Sequence, residues 1–547
     1  MKIRETPRIN LKREHLLLIA VFFVFIFLRI FSDSPYYFIQ GGDTARYLAL
    51  ADSFPYNTLF NNQLYIEHPP LYPYAIYFVS FLFEDHIAGL LVSLISLAII
   101  FFIIYKLVML VSNNYYIAFG TLILLSLSNV FINLSIGNLK RAPLGMMLTL
   151  LSIYYYIRFL KEGKTRNIIY SSLPALLLGI TTDHAILLIP GLIITYVFFR
   201  DKTKIFHATI PIIAAIFSYS SWIFVRVYTY MTNEFYPVVN GTIVKTGDWG
   251  LRQLLSPQYF KEVESILPFG LSLDPSHYFY HVANMFKLVV APLPMGLRFS
   301  NITMFLTSDN FLQLVIYPIL GIATMYSLYK IIKLSLKKGI KNNEMLFFLT
   351  MFFLFLLPLT QIYTSPRFTV TAIPFLFIVT SYGLFKFAKT YNIFRIYKVG
   401  IIAIILILVL YLPFYYLNNN HFIFSKEKIV EIPITAQFIN KLPKDGVMIQ
   451  MGYVIELDYQ SDKRIMALPV NADYFSLIDI YDVSYMVYGE QYHRPFSEGD
   501  KEGTLNYGAI KYIRDHPEQF KLLTIIEETY PTTEIKDHIY IYEVMLN

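Results

Sequence analysis

The chain has 547 residues, 56% of them hydrophobic, 17% aromatic and only 15% charged, with a formal net charge of +7. Soluble domains carry about a quarter charged residues; the apolar excess here is gathered in long blocks, which excludes an ordinary soluble protein and indicates a polytopic membrane protein. There is no cysteine, so disulfides, Cys–zinc sites and thiol nucleophiles are excluded too.

The basic N-terminus MKIRETPRINLKREH leads into the first apolar run. No small-residue cleavage motif follows, so the run reads as an uncleaved span rather than a signal peptide. Runs near 15–32, 87–111, 115–136, 141–160, 167–182, 185–200, 207–227, 311–333, 344–363, 367–386 and 397–417 make about 11 spans by apolar length. The stretch 285–297, MFKLVVAPLPMGL, is short and broken by two prolines, and reads as re-entrant or interfacial. With the N-terminus in the cytoplasm, the basic loops 161–166, 200–204, 333–344 and 386–398 all fall on the cytoplasmic side. The positive charge thus has a topological explanation, and nucleic acid is not an expected partner. The loops left outside are the short 181–184 and 361–367 and the long 33–86 and 228–310. Everything after residue 418 is external as well. The expected architecture is a mostly α membrane domain over 1–418, followed over 419–547 by a small α/β domain of short strands and helices. The chain is then a multi-pass protein of the cell membrane.

The external side holds the polar interest. In GGDTARYLALAD (41–52), Gly41 and Gly42 permit a tight turn. Asp43 or Thr44 can then cap a helix through Arg46 and Tyr47. The alternative role for Asp43 is a general base or acceptor-binding carboxylate at the membrane face, and the two are compatible. Arg46 lies one turn on and can pair with Asp43 or bind an anion. Asp52 reads as surface. In YIEHPPLYPYAIYFVSFLF (65–83), His68 precedes proline and is expected to be extended. Pro70 can open an aromatic helix lying in the membrane interface. Glu67 beside His68 offers a carboxylate and an imidazole to a divalent metal or a phosphate, although a closed zinc site wants four ligands.

Arg141 and Arg367 sit at the outer ends of spans. Snorkelling to the interface and gripping phosphate oxygens are both open to them. Asp183 and His184 fall between two spans, either as functional groups at membrane depth or as a solvated hairpin. In GDWG, Asp248 and Trp249 suit a sugar, whose ring packs on an indole face; a tryptophan resting at the interface is the other reading.

One span, a long external loop with an early aspartate, then HPPLYP opening a helix: this order resembles the GT-C glycosyltransferases, nearest the protein O-mannosyltransferases and lipid A aminoarabinose transferases (glycosyltransferase family 39-like). NLKRAPLGMMLTLLSIYYY (138–156) is similar to the family's arginine-containing entry to the fourth span. SPRFTVTAIPFLFIVTSYGL (365–384) is similar to its late Arg-containing span, and the tail to its small external domain. No WWDYG-like motif is present, a departure from the oligosaccharyltransferase branch. A single Asp followed by Thr stands where protein O-mannosyltransferases keep Asp-Glu.

The resemblance implies an inverting enzyme transferring a hexosyl or pentosyl unit from a polyprenyl-phosphate sugar to a lipid, glycan or protein acceptor. It implies Asp43 as base, with His68, Arg46, Arg141 and Arg367 on the donor phosphate. Glu67 with His68 is the implied site of a divalent metal ion, the one cofactor in view. The external region around Asp248, Trp249, Asp183 and His184 is implied to shape the acceptor side. A flippase for a lipid-linked precursor is the alternative and would show paired inverted repeats and mid-span charges. Neither is found in the sequence. A scaffold or sensor working through its tail is a third reading.

Overall fold

The computed structural model describes residues 11–31, 42–56, 58–59, 63–64, 69–128, 141–200, 205–232, 238–239, 242–243, 266–267, 271–272, 311–339, 343–356, 370–403, 434–450, 457, 461–467, 478–479, 482–489, 512–529 and 536–545. In chain order its elements are α1 (Leu11–Phe31), α2 (Gly42–Asp52), the short hairpin β1 (Thr58–Leu59) and β2 (Gln63–Leu64), α3 (Leu71–Ser80), α4 (Asp85–Ser112), α5 (Tyr115–Leu127) and α6 (Ala142–Glu162). Then follow α7 (Thr165–Leu178), a 3₁₀ turn (Asp183–Leu187), α8 (Leu188–Phe199) and α9 (Ile205–Thr232). Two more short hairpins come next, β3 (Val238–Val239) with β4 (Thr242–Ile243) and β5 (Ile266–Leu267) with β6 (Leu271–Ser272). After them come α10 (Phe311–Lys338), α11 (Glu344–Leu356), α12 (Ile373–Thr390), α13 (Ile434–Asn440), β7 (Val447–Gln450), β8 (Ile465–Ala467), β9 (Tyr485–Gly489), β10 (Phe520–Thr529) and β11 (Lys536–Val544).

Among the described residues, four helical segments are long and apolar enough to cross a membrane: Asp85–Ser112, Ala142–Glu162, Phe206–Arg226 and Ile319–Lys337. Four shorter apolar helices accompany them, Leu16–Ile26, Tyr115–Leu127, Ala185–Phe199 and Glu344–Leu356. The chain is a multi-pass membrane protein. The expected span at 167–182 is the 14-residue α7, about 21 Å long at 1.5 Å per residue. That is less than the ~30 Å hydrocarbon core. The stretch 285–297 and most of 397–417 lie outside the described residues.

The contacts divide into two units. The first comprises Met1–Pro35, Ser93–Ser220 and Glu262–Ser425. Its centre is α12, whose side chains from Ile373 to Gly383 are all buried. Small residues set its packing. A Cβ on Gly383 would run into the Ala323 carbonyl of α10, and one on Gly120 of α5 would lie 3.1 Å from the Tyr397 hydroxyl and 3.2 Å from Ser381 Oγ. Beside the Gly383 contact, the Thr324 and Thr380 hydroxyls hydrogen-bond at 2.7 Å. Close backbones and hydroxyl bridges are what helices use where lipid removes the hydrophobic drive to associate. On α5, Asn114 caps the first turn by accepting from the Tyr116 and Ile117 amides at 3.0 and 3.3 Å. The carboxamide thereby takes up two of the donors that a helix start leaves over. Helix α6 ends where Gly163 adopts φ 69°, the left-handed stop that glycine allows.

The second unit comprises Tyr36–Val92, Ser221–Lys261 and Lys426–Asn547. Its C-terminal part holds a five-stranded sheet in the order β10-β11-β9-β7-β8. β10, β11 and β9 run antiparallel, while β9, β7 and β8 are parallel. Val447, Ile449, Tyr485, Val487, Ile539 and Ile541 bury alternate positions on one face with Ala436 and Ile439 of α13, the two-residue period of a half-covered sheet. Met486, Phe520 and Val544 build a second cluster.

We expect Gly383→Leu to lower stability by about 1–3 kcal/mol, as overpacking does, read as a fall in melting temperature in detergent. Gly400→Ala is the control, because a Cβ there meets nothing within 4 Å.

Candidate functional site

Asp43 is the second residue of α2, which begins at Gly42. The helix therefore starts earlier than expected. Asp43 and Thr44 occupy its first turn. Thr44, Tyr47, Leu48 and Ala51 are buried, a stripe at the i, i+3, i+4, i+7 spacing of a helix packed on one side. The partner is α3. The Tyr47 ring meets the Tyr72 ring edge-on at 4.9 Å. Tyr72 is fully buried, and its hydroxyl donates to the Gly89 carbonyl at 3.4 Å. At the other end Phe54 stacks on Tyr77 at 4.3 Å, and the Tyr74 hydroxyl donates to the Pro55 carbonyl at 2.6 Å. Aromatic pairs of this kind add about 0.5–1.5 kcal/mol each beyond their buried area. They clamp the backbone that carries Asp43. Arg46, one turn after Asp43, is half-buried with its Nε shielded from solvent.

Helix α3 follows Pro70, whose carbonyl accepts from the Tyr74 amide at 3.0 Å. It buries Tyr72, Pro73 and Ile76. Phe78, Phe81, Leu82 and Phe83 are left exposed, an apolar edge suited to a membrane interface. Glu67 and His68, just before it, lie outside the described residues, as do Arg367, Asp248 and Trp249.

In the first unit, Arg141 immediately precedes α6 and is buried. One turn into that helix, Gly145 packs on Thr182: a Cβ on the glycine would lie 3.1 Å from Thr182 Cγ2. The start of α6 therefore meets the turn that carries Asp183 and His184. The residues that flank Asp183 and His184 are packed. Thr181 and Ala185 are buried and Thr182 nearly so. The Thr181 hydroxyl donates to the Leu177 carbonyl at 2.7 Å, and the Ala185 amide to Thr182 at 3.1 Å. Asp183 then opens the 3₁₀ turn. Within the first unit, Arg141 and the 183–184 turn are thus brought to one place. Among the described residues no three His, Asp or Glu groups converge as a metal cradle.

Arg226, near the end of the 207–227 run, is a further candidate. It is fully buried, and its guanidinium lies 5.4 Å from the Trp222 ring. A cation enclosed at membrane depth is a functional candidate by default. The available signal is the Trp222–Arg226 spacing of four, which stacks the pair on one helix face.

Residues 67–223 match the family of dolichyl-phosphate-mannose-protein mannosyltransferases, so the match begins on Glu67, immediately before the HPPLYP block. No curated protein matches the sequence. Among solved structures, apo ArnT from Cupriavidus metallidurans is similar at 10% identity with a TM-score of 0.51, covering 97% of each chain. The chain has a GT-C glycosyltransferase fold. The same Cupriavidus protein bound to undecaprenyl phosphate aligns at 10% identity, TM-score 0.49, with 97% of each chain covered. The apo Archaeoglobus fulgidus oligosaccharyltransferase aligns at 10% identity and TM-score 0.48, covering 87% of this chain and 70% of that one. As a GT-C fold the chain is a mostly helical membrane protein.

Asp52 closes α2. Although it keeps an exposed face, burial first and the negative charge of Asp85 second push its carboxyl up to about 6 from an ordinary 3.8. A raised value means that the folded state holds the proton more tightly. Asp52 therefore supports the α2 end fully below pH 3.8, and that support is lost as pH rises through about 6. We expect the Asp52 carboxyl resonance to titrate near 6 and to shift down in Asp85→Asn. An unshifted Asp52 in that variant would rule out the charge coupling.

Proposed function

We propose that this chain is an integral membrane glycosyltransferase that moves one sugar from a polyprenyl-phosphate carrier to an acceptor hydroxyl at the external membrane face. The observation that carries the reading is the family match over 67–223. That family is named for a mannosyl phosphate of dolichol, a polyprenyl lipid, and its match starts on the external loop just after Asp43. The GT-C fold supports the same class of chemistry.

In this reading the N-terminus is cytoplasmic, about 11 spans follow by apolar length, and the domain from residue 419 is external. The Asp43 carboxylate takes the proton of the acceptor hydroxyl as that oxygen bonds to the anomeric carbon. The bond from that carbon to the phosphate oxygen breaks, its electron pair leaves with the lipid phosphate, and the anomeric configuration inverts. His68, Arg46, Arg141 and Arg367 stabilise the phosphate charge as it develops, arginine doing so with two parallel N–H donors. Asp248, Trp249, Asp183 and His184 line the acceptor side. Glu67 with His68 would hold a divalent ion, which when bound supplies further positive charge to the leaving phosphate.

Asp43→Asn is expected to lower transfer from a labelled polyprenyl-phosphate sugar by ~10²–10⁴, the usual worth of a general base, with binding of the lipid phosphate unchanged. Full activity in that variant would overturn the assignment of the base. If the ion takes part, chelation lowers wild-type transfer, and Glu67→Gln loses that sensitivity.

A further inference from the structure

Helices α7 and α9 approach closely at one level. The Gly179 amide donates to Ser218 Oγ at 3.0 Å, and the Ser218 hydroxyl donates to the Leu176 carbonyl. A Cβ on Gly179 would clash with Ser218, so the glycine is what lets the two backbones approach. On the N-terminal side of this contact lies a groove between them. Each has an internal proline, Pro174 in α7 and Pro211 in α9, and an internal proline breaks a backbone hydrogen bond and bends the helix. The groove has a volume of about 330 Å³ and is lined by Thr165, Ile169, Leu173 and Leu176 of α7 and by Ile210 and Ala214 of α9.

From Leu176 to Thr165 the groove follows eleven residues of helix, about 16 Å. That is close to half of a ~30 Å hydrocarbon core, the depth of one leaflet. Its walls are open to lipid, since Ile169, Leu173 and Leu176 are all exposed. The Thr165 end lies in a cationic corner. Residues 158–166 carry Arg158, Lys161, Lys164 and Arg166 against a single carboxylate, Glu162. Glu162 is already engaged by Arg158 at 2.7 Å and Lys164 at 3.1 Å. Arg166 is exposed and stands three and seven residues before Ile169 and Leu173, hence on the groove-lining face of α7.

We propose that this groove is a binding site for one anionic phospholipid. An acyl chain lies between α7 and α9, and the phosphate sits at Arg166 and Lys164. Length, apolar lining and the excess of cations at one end fit a leaflet lipid with a charged head. Basic sites between spans are known to hold anionic headgroups. The site is independent of the transfer chemistry proposed above.

The test uses the full chain, stripped of lipid in a neutral detergent and titrated by native mass spectrometry. The probes are phosphatidylglycerol, phosphatidylcholine of the same chains, and a polyprenyl phosphate. We expect phosphatidylglycerol to be retained ~5-fold better than phosphatidylcholine. Arg166→Gln is expected to erase that ~5-fold preference, about the worth of one surface cation. Ser172 also lines the groove, and Ser172→Trp, which fills it, is expected to remove the bound lipid. Equal retention of both phospholipids, or no effect of Arg166→Gln, overturns the proposal. So does displacement of phosphatidylglycerol by the polyprenyl phosphate, which would make the groove a carrier site instead. Should Ser172→Trp not fold, the exposed Arg166 variant decides alone.

Discussion

In hydrocarbon, burying a leucine between two helices gains little over leaving it in lipid, so the spans of this protein depend on close contact and on satisfied polar groups. The contacts are made at small residues. Gly383 admits the Ala323 backbone, Gly120 admits Tyr397 and Ser381, and Gly179 admits Ser218. Hydroxyls join the same seams: Thr324 to Thr380, Ser171 to the Ser152 carbonyl, and Tyr156 to the Ala208 carbonyl. Each bridge satisfies a polar group that lipid cannot, and each fixes one helix against another at a single level.

On the N-terminal side of the Gly179–Ser218 contact each of α7 and α9 carries an internal proline, Pro174 and Pro211, which removes one backbone hydrogen bond. Near Arg141, Gly145 lets the Thr182 turn sit on the start of α6, so a loop that composition alone marks as hydrophilic becomes part of the packed end of the unit. Between α2 and α3 the clamp is aromatic instead: Tyr47 on Tyr72, and Phe54 on Tyr77. There, partial exposure to water restores the hydrophobic drive, and large rings exploit it.

Much of the fold was legible because the signal is local. A run such as Leu90 to Val111 declares a span by its length and its single charge, Lys106. The alternation in HIYIYEV declares a strand. The aromatic helix after Pro70 was readable from proline chemistry and from its ring spacing. Boundaries were less legible. Helix α2 begins at Gly42, with Thr44, Tyr47, Leu48 and Ala51 buried on the side that meets α3, a boundary set by packing that the local sequence does not show. The burial of Thr181 and Thr182 was not legible at all, since it depends on Gly145, more than 30 positions away in the chain. Arg226 was hidden for the same reason. A span-end arginine looks alike in sequence whether it reaches solvent or is enclosed. Of the candidate site, the sequence order of Asp43, Arg46 and the HPPLYP block was visible. That Arg141 and the Asp183–His184 turn share one end of a unit was visible only in three dimensions.

The enclosure of Arg226 beside Trp222 has a consequence for how the protein responds to its surroundings. Mobile ions weaken exposed charges over a Debye length of about 8 Å at physiological ionic strength, but they act far less on a charge with no surface in contact with water. The field of Arg226 is therefore nearly the same in dilute medium and in brine. The Arg158–Arg166 corner, open to solvent, is attenuated as the medium becomes saltier. The protein thus carries two kinds of positive charge, one insulated from its environment and one tuned by it.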